Sequence, residues 1–233
     1  MNLAALEQGS AEWLAARSSR ITASDFGAAL GHNKYKSATN LLRDKVFPPD
    51  RQAPPNGPMR WGTTQEGMAC SLYEVVHKQI LRTPGFCLRH VGLLVPAPPL
   101  AVVGLSPDGL ISYTGEDGRT VHGLLEIKCP CSPVVDAPIR QYYYDQIQGI
   151  AQFMQGLPQN VRAKYPPPTF VDFVQYSPCN DALQVTRYSI DAEYGKHLSA
   201  GILRFGKEMR AQQQRKSEGL ITRPRQLTYT PAP

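Results

Sequence analysis

The sequence predicts an α/β fold, and three observations carry the prediction. Segments 87–95, 101–105 and 110–113 are rich in Val, Leu and Ile with Pro and Gly between them, the composition of short strands. Leu124-Leu125-Glu126-Ile127-Lys128 is apolar enough for a buried central strand, 170–176 alternates as a strand, and 183–190 follows as another. Among these lie helical patterns. Residues 139–155 end at Gly156, and Asp191 caps a long helix with Tyr194, Leu198, Ile202, Phe205 and Met209 at helical intervals.

The N-terminal part reads as a series of short helices. Ser10 precedes a helix over 11–17 whose apolar anchors are Trp13 and Leu14, followed by the basic turn Arg17-Ser18-Ser19-Arg20. Thr22 then caps a second helix, with Asp25 in its first turn and Gly31 ending it. Residues 37–46 form a third helix, stopped by Phe47-Pro48-Pro49. The Pro-rich stretch 48–58 reads as a loop. Trp61 to Glu66 opens a helix whose apolar face is Met68, Leu72, Val75 and Val76. From Lys207 the chain carries six basic and two acidic residues and ends Pro-rich, which predicts a flexible basic tail over 207–233.

Composition narrows the function. One domain is expected for 233 residues. A net charge of +6 and a pI near 9.1 favour an anionic partner, most simply nucleic acid. Five cysteines without regular spacing argue against a disulfide framework, and Cys129-x-Cys131 lacks the second pair that a zinc site needs. No apolar run approaches the roughly 20 residues of a membrane span, and the N-terminus lacks a signal-peptide core, so a soluble, intracellular protein is expected.

The chemistry concentrates in two stretches. Asp108 sits in a Pro-Asp-Gly turn, and 17 residues separate it from Glu126. Strand alternation points Glu126 and Lys128 the same way while Leu125 and Ile127 enter the core. Two carboxylates and an ammonium at one point suit a hard cation such as Mg²⁺, with Lys128 steering or deprotonating a water. Each half alone is an ordinary turn or a solvated ion pair. Together, in so apolar a strand, they call for a partner or a metal.

Other residues carry two readings. Arg17, Arg20 and Ser24 surround a helix N-terminus suited to a phosphate group, or are two solvated arginines beside a capped helix. Glu66 is a favourable charge near a helix start, or a contributor to the metal site. Tyr143 and Gln146, three apart, share a face that approaches a scissile phosphate or base, or else join a packing surface.

Five ordered blocks resemble the lambda-exonuclease-like, YqaJ-type viral recombinase branch of the PD-(D/E)xK nucleases. They are Trp13 to Arg17 with Ile21-Thr22-Ala23-Ser24, Trp61-Gly62 with Glu66, Ser106-Pro107-Asp108-Gly109-Leu110, Glu126-Ile127-Lys128-Cys129-Pro130, and Gln146-x-Gln148. The resemblance runs from about Trp13 to Tyr188. It implies a restriction-endonuclease-like core, a central mixed β-sheet flanked by helices, in a single nuclease domain over 1–206. The implied activity is Mg²⁺-dependent (or Mn²⁺-dependent) hydrolysis of DNA, 5′-to-3′ from duplex ends, for recombination or repair.

By the same resemblance Asp108, Glu126 and the Ile127 carbonyl hold the metal, and Glu66 assists at a second one. Lys128 positions the attacking water, Gln146 lies near it, and Arg17 with Ser24 contacts a terminal 5′-phosphate. Arg20, Tyr143 and Gln148 join the expected DNA contacts. A single-strand annealing or recombination protein is an implied partner, and a homo-oligomer, trimeric in some relatives, an implied assembly. The Pro-rich stretch and the C-terminal segment do not match the family's pattern. Two alternatives stand beside this reading: an endonuclease or DNA/RNA nuclease of the same fold, and a non-catalytic DNA-binding module that keeps the acid-acid-lysine set as structure.

Overall fold

The computed structural model of the chain describes residues 3–48, 57–133 and 138–232, so most of the expected Pro-rich loop lies outside the described residues. A 3-10 turn, Leu3–Ala5, leads to α1 (Ala11–Ser18), where Ser10 Oγ accepts from Trp13 N at 3.2 Å. Trp13 anchors the helix through Nε1 to Gly92 O at 3.1 Å, but Leu14, expected beside it, is exposed. One residue after the other on a helix turns by about 100°, and only one of the two can face inward.

Strand β1 (Ile21–Thr22) runs into a 3-10 turn and the short α2 (Phe26–Ala29), and Gly31 follows at φ +81°. Thr22 and Asp25 make a capping box, and Lys45 of α3 (Ala38–Val46) reaches Asp25 at 2.9 Å. Burial pushes the Asp25 carboxyl up, yet Lys45 and the Thr22 donors outweigh it and hold the group below its ordinary value.

Helix α4 (Gly57–Val75) starts within the expected loop and continues as a π-helical turn, Val76–Ile80. Its buried residues are Ala69 and Tyr73 rather than the expected face, since Met68 and Val75 are exposed. Leu72 of the expected face is half-buried and packs against the same layer as Ala69 and Tyr73.

Strands β2 (Cys87–Arg89), β3 (Val103–Gly104), β4 (Gly109–Thr114) and β5 (Thr120–Lys128) follow, then α5 (Gln141–Met154), α6 (Gln159–Lys164), β6 (Phe170–Ser177), β7 (Ala182–Ser189) and α7 (Ala192–Ser217). The main sheet has the order β2-β4-β5-β6-β7; β5 and β6 are parallel and the other neighbours antiparallel. It is the expected mixed sheet. β1 and β3 form a separate parallel pair.

Side-chain alternation along β5 divides the core into two layers. Leu124 joins α2, α3, α5 and α7, whereas Leu125 and Ile127 pack with Ala69 and Tyr73 of α4 on the opposite face. Behind that second layer Asp172 is buried, held by Arg187 Nε and Nη2 at 2.7 and 2.8 Å and by the Tyr73 hydroxyl at 2.6 Å.

The C-terminal segment corrects an expectation. Residues from Lys207 continue α7 to Ser217, and Ile221 and Leu227 beyond it are buried in the first core layer. Thr39 and Tyr229 exchange hydrogen bonds at 2.8 and 2.9 Å. Three well-spaced apolar residues outweigh the basic composition and draw the segment back onto α3 and α7.

Candidate active site

The end of β5 assembles the site. Pairing with β4 and β6 buries the strand on both edges, so Glu126 is only 2 % exposed and faces α5 with Lys128. Glu126 Oε1 accepts from Lys128 Nζ and from Gln146 Nε2, each at 2.5 Å. Register supplies the second acid: Gly109 opposes Leu125, which sets Asp108 beside the strand end, and Asp108 Oδ2 accepts from Ile127 N at 2.6 Å. The turn residue and the strand residue thus meet as expected.

Electrostatics mark the same place. Burial, then the Asp108 charge, pushes the Glu126 carboxyl up to about 7. Asp108 is also raised by burial, offset in part by Lys128 and the Ile127 N–H. Burial alone would lower Lys128, but Glu126 and Asp108 together raise it, so the ammonium stays charged at neutral pH. In this arrangement Lys128 is a hydrogen-bond donor and a positive charge beside the two acids.

Glu66 lines a cavity of about 430 Å³ with Asp108, Ile127, Cys70, His90 and the N-terminal turn. Burial, and next the Asp108 charge, raises its carboxyl. Among the described residues, however, no three His, Cys, Asp or Glu side chains converge as a metal site. Glu66 stands on α4 across the cavity, and a cation would rest on Asp108, Glu126 and main-chain oxygen. The donors fit such an ion: all are oxygen, and Glu126 Oε2 is buried with no hydrogen-bond partner among the described residues.

The expected DNA contacts divide. Arg17 Nη2 meets Ser24 Oγ at 3.5 Å, and its guanidinium lies 4.1 Å over the Trp13 ring. Burial lowers the Arg17 pKa against the pull of Asp25, Glu126 and Asp108, which puts this cation in the field of the site. Arg20 Nη1 donates to Ala16 O at 2.6 Å and to Ser19 Oγ at 3.4 Å at the end of α1. Tyr143 lies with its ring 5.4 Å from Lys128 Nζ and packs on Phe173.

Gln148 does not reach the site. It is 1 % exposed, donates to Ser189 O and accepts from Asp191 N, each at 2.9 Å, tying β7 to α7. Residues two apart on a helix point to nearly opposite sides, so Gln146 and Gln148 cannot share a ligand.

Sequence reasoning missed His90, whose Nδ1 lies 2.9 Å from Asp108 O, and Gln8, whose Nε2 donates to Val91 O at 2.8 Å and Pro107 O at 3.1 Å. Both brace the Asp108 turn. Gly92, which lacks the Cβ that would meet Leu6 O at 2.2 Å, offered a signal of close backbone approach.

A mixed sheet between helical layers, with two acids and a lysine at the end of a central strand, defines an α/β domain of the restriction-endonuclease-like class. A model of the YqaJ-like viral recombinase domain matches residues 12–153, more than half of the sequence, and the chain belongs to that family. Its structure is similar to an alkaline exonuclease (LHK-Exo) from Laribacter hongkongensis, with a TM-score of 0.64 and 24% identity over 91% of this chain and 100% of that one. The LHK-Exo complex with dAMP gives 0.65 at the same identity and coverage. A phage related exonuclease from Haemophilus somnus 129PT gives 0.48 with 11% identity, over 87% of this chain and 96% of that one. No curated protein sequence matches.

Proposed function

We propose that the protein is a divalent-cation-dependent DNA exonuclease that hydrolyses one strand of a duplex end from 5′ to 3′. The observation that carries this reading is the set of buried Glu126 and Gln146 with half-buried Lys128 beside Asp108, with Glu126 Oε2 left unpartnered among the described residues. Family membership and the net charge of +6 support a DNA substrate. Mg²⁺, or Mn²⁺, held by Asp108, Glu126 and the Ile127 carbonyl would supply Lewis-acid polarisation of the phosphate and a lowered pKa for water.

The chain's own groups do the rest. Lys128, kept protonated, presents its remaining N–H groups to the attacking water and the phosphate oxygens. Gln146 fixes Glu126 Oε1 from the α5 side, so the carboxylate keeps its other oxygen toward the cation. Glu66, lining the same cavity as Asp108, would add a carboxylate for a second cation, whose charge would offset that of the DNA.

Arg17 and Ser24 support end recognition, because a guanidinium and a hydroxyl converge close to the acids and fit a terminal phosphate. A role in recombination or repair, with a single-strand annealing partner and a homo-oligomeric assembly, belongs to the same reading and rests on family membership. The test is to incubate the protein with end-labelled linear DNA and closed circular DNA, with Mg²⁺ and with chelator. Loss of label from linear DNA alone, dependent on Mg²⁺, is expected. Nicking of the circle at a comparable rate would instead identify an endonuclease, and no cleavage of either would leave a DNA-binding module.

A further inference from the structure

A line of tyrosine rings runs from Lys128 to the surface, and nothing in the catalytic arrangement uses its outer part. The Tyr143 ring, 5.4 Å from Lys128 Nζ, has its centroid 4.3 Å from that of Tyr142, and Tyr142 meets Tyr35 edge-to-face at 6.2 Å. Tyr35, in the loop between α2 and α3, is 70% exposed. Cations flank the rings: Lys34 Nζ is 5.0 Å from the Tyr35 centroid, and Arg140 Nη1 donates to the Tyr142 hydroxyl at 3.0 Å and the Tyr35 hydroxyl at 3.4 Å.

Two further features show that the arrangement is fixed and its charge is free. Tyr35 N donates to Asn33 Oδ1 at 2.8 Å, and a Cβ on Gly27 would fall 2.4 Å from Tyr142 Cβ, so α2 and α5 are locked in contact beneath the loop. Lys36, close by, is paired with Asp44, and His32 Nδ1 lies 2.9 Å from Asp145 Oδ2. Among the described residues, Lys34 and Arg140 have no carboxylate partner.

We infer that Tyr35, Tyr142, Lys34 and Arg140 form a binding track for single-stranded DNA, with a base stacked on Tyr35 and the backbone along the two cations. Exposed aromatic faces recognise unpaired bases, which every nucleotide offers and a duplex hides, while uncompensated Lys and Arg recognise phosphates. An acidic peptide would satisfy the cations but leave the Tyr35 face unused. The track's role, guiding the unpaired strand beside the scissile phosphate, rests on the nuclease reading; its binding chemistry does not.

The experiment measures fluorescence anisotropy of labelled oligothymidine and of a blunt duplex of equal length, both in chelator so that no cleavage intervenes. Tyr35→Ala, at an exposed loop position, should keep the wild-type melting temperature and weaken oligothymidine binding by roughly tenfold, with duplex affinity changed less than about twofold. Tyr35→Trp should restore binding, and its added indole emission should be quenched by oligothymidine. Arg140→Gln should reduce the slope of log affinity against log salt for the single strand by about 0.7.

Unchanged oligothymidine affinity in Tyr35→Ala, or equal losses for single strand and duplex, overturns the inference. So does an unquenched Tyr35→Trp signal. Binding that behaves as expected in a protein that cleaves nothing would leave this inference standing and remove the nuclease reading instead.

Discussion

On the proposed reading, protons and a divalent cation compete for Glu126. Its carboxyl is pushed up to about 7 by burial and by Asp108, so below that pH the proposed cation ligand is a neutral acid. Cation affinity scales with the ionised fraction, which gives roughly tenfold weaker binding at pH 6 than at pH 8. The stability sign follows from the same shift. A raised acid contributes stability below its ordinary value of 4.5 and loses it as pH rises through about 7, so the cation-free fold weakens over that window. Added cation should therefore raise the melting temperature more at pH 8 than at pH 6. Calorimetric titration with Mn²⁺ at pH 6, 7 and 8, without DNA, measures the effect. Asp108→Asn should lower affinity throughout and move the midpoint to lower pH, because it removes the charge that helps to raise Glu126. Affinity that stays flat from pH 6 to pH 8 in the wild type would refute the assignment of Glu126 as the buried ligand.

Three further outcomes test other parts of the structure. Arg17→Ala should erase any faster digestion of 5′-phosphorylated over 5′-hydroxyl duplex ends and hardly change the hydroxyl-ended rate; equal losses on both would make Arg17 a general phosphate contact. Gln148→Leu should lower stability by about 1–3 kcal/mol in urea melts, since it strands Ser189 O and Asp191 N, while DNA affinity stays at the wild-type level. Arg187→Ala leaves Asp172 with the Tyr73 hydroxyl as its remaining donor and should cost about 1–3 kcal/mol, less than for a fully buried pair because Arg187 is half exposed, with no specific effect on cation affinity.

Much of the catalytic end of the fold was legible because it depends on local pattern. Alternation in Leu124-Leu125-Glu126-Ile127-Lys128 was enough to put Glu126 and Lys128 on one face, and the Pro-Asp-Gly turn was enough to place Asp108 before a strand. What escaped depends on contacts distant in sequence. His90 and Gln8 matter only because the N-terminal turn and Gly92 come together at the Asp108 loop, across many intervening residues. Arg20 could not be separated from Arg17 by charge; what distinguishes them is their partners, Ala16 O and Ser19 Oγ for Arg20 and Ser24 Oγ for Arg17. Gln148 belonged to a recognisable block, yet helical geometry sends it to the β7–α7 junction. The C-terminal segment misled through composition: Ile221, Leu227 and Tyr229 are few, but each finds a place on the core.

The most direct test of the acid-acid-lysine site is single-turnover digestion of linear duplex DNA by Lys128→Ala and Glu126→Gln, with melting temperature and DNA affinity measured on the same preparations. The proposed mechanism predicts at least about a hundredfold loss of rate in each variant, with the fold kept and DNA affinity little changed, because it assigns the paired Glu126 and Lys128 side chains to the reaction and not to the core. Wild-type rates in either variant, in protein that remains folded and binds DNA, would contradict it.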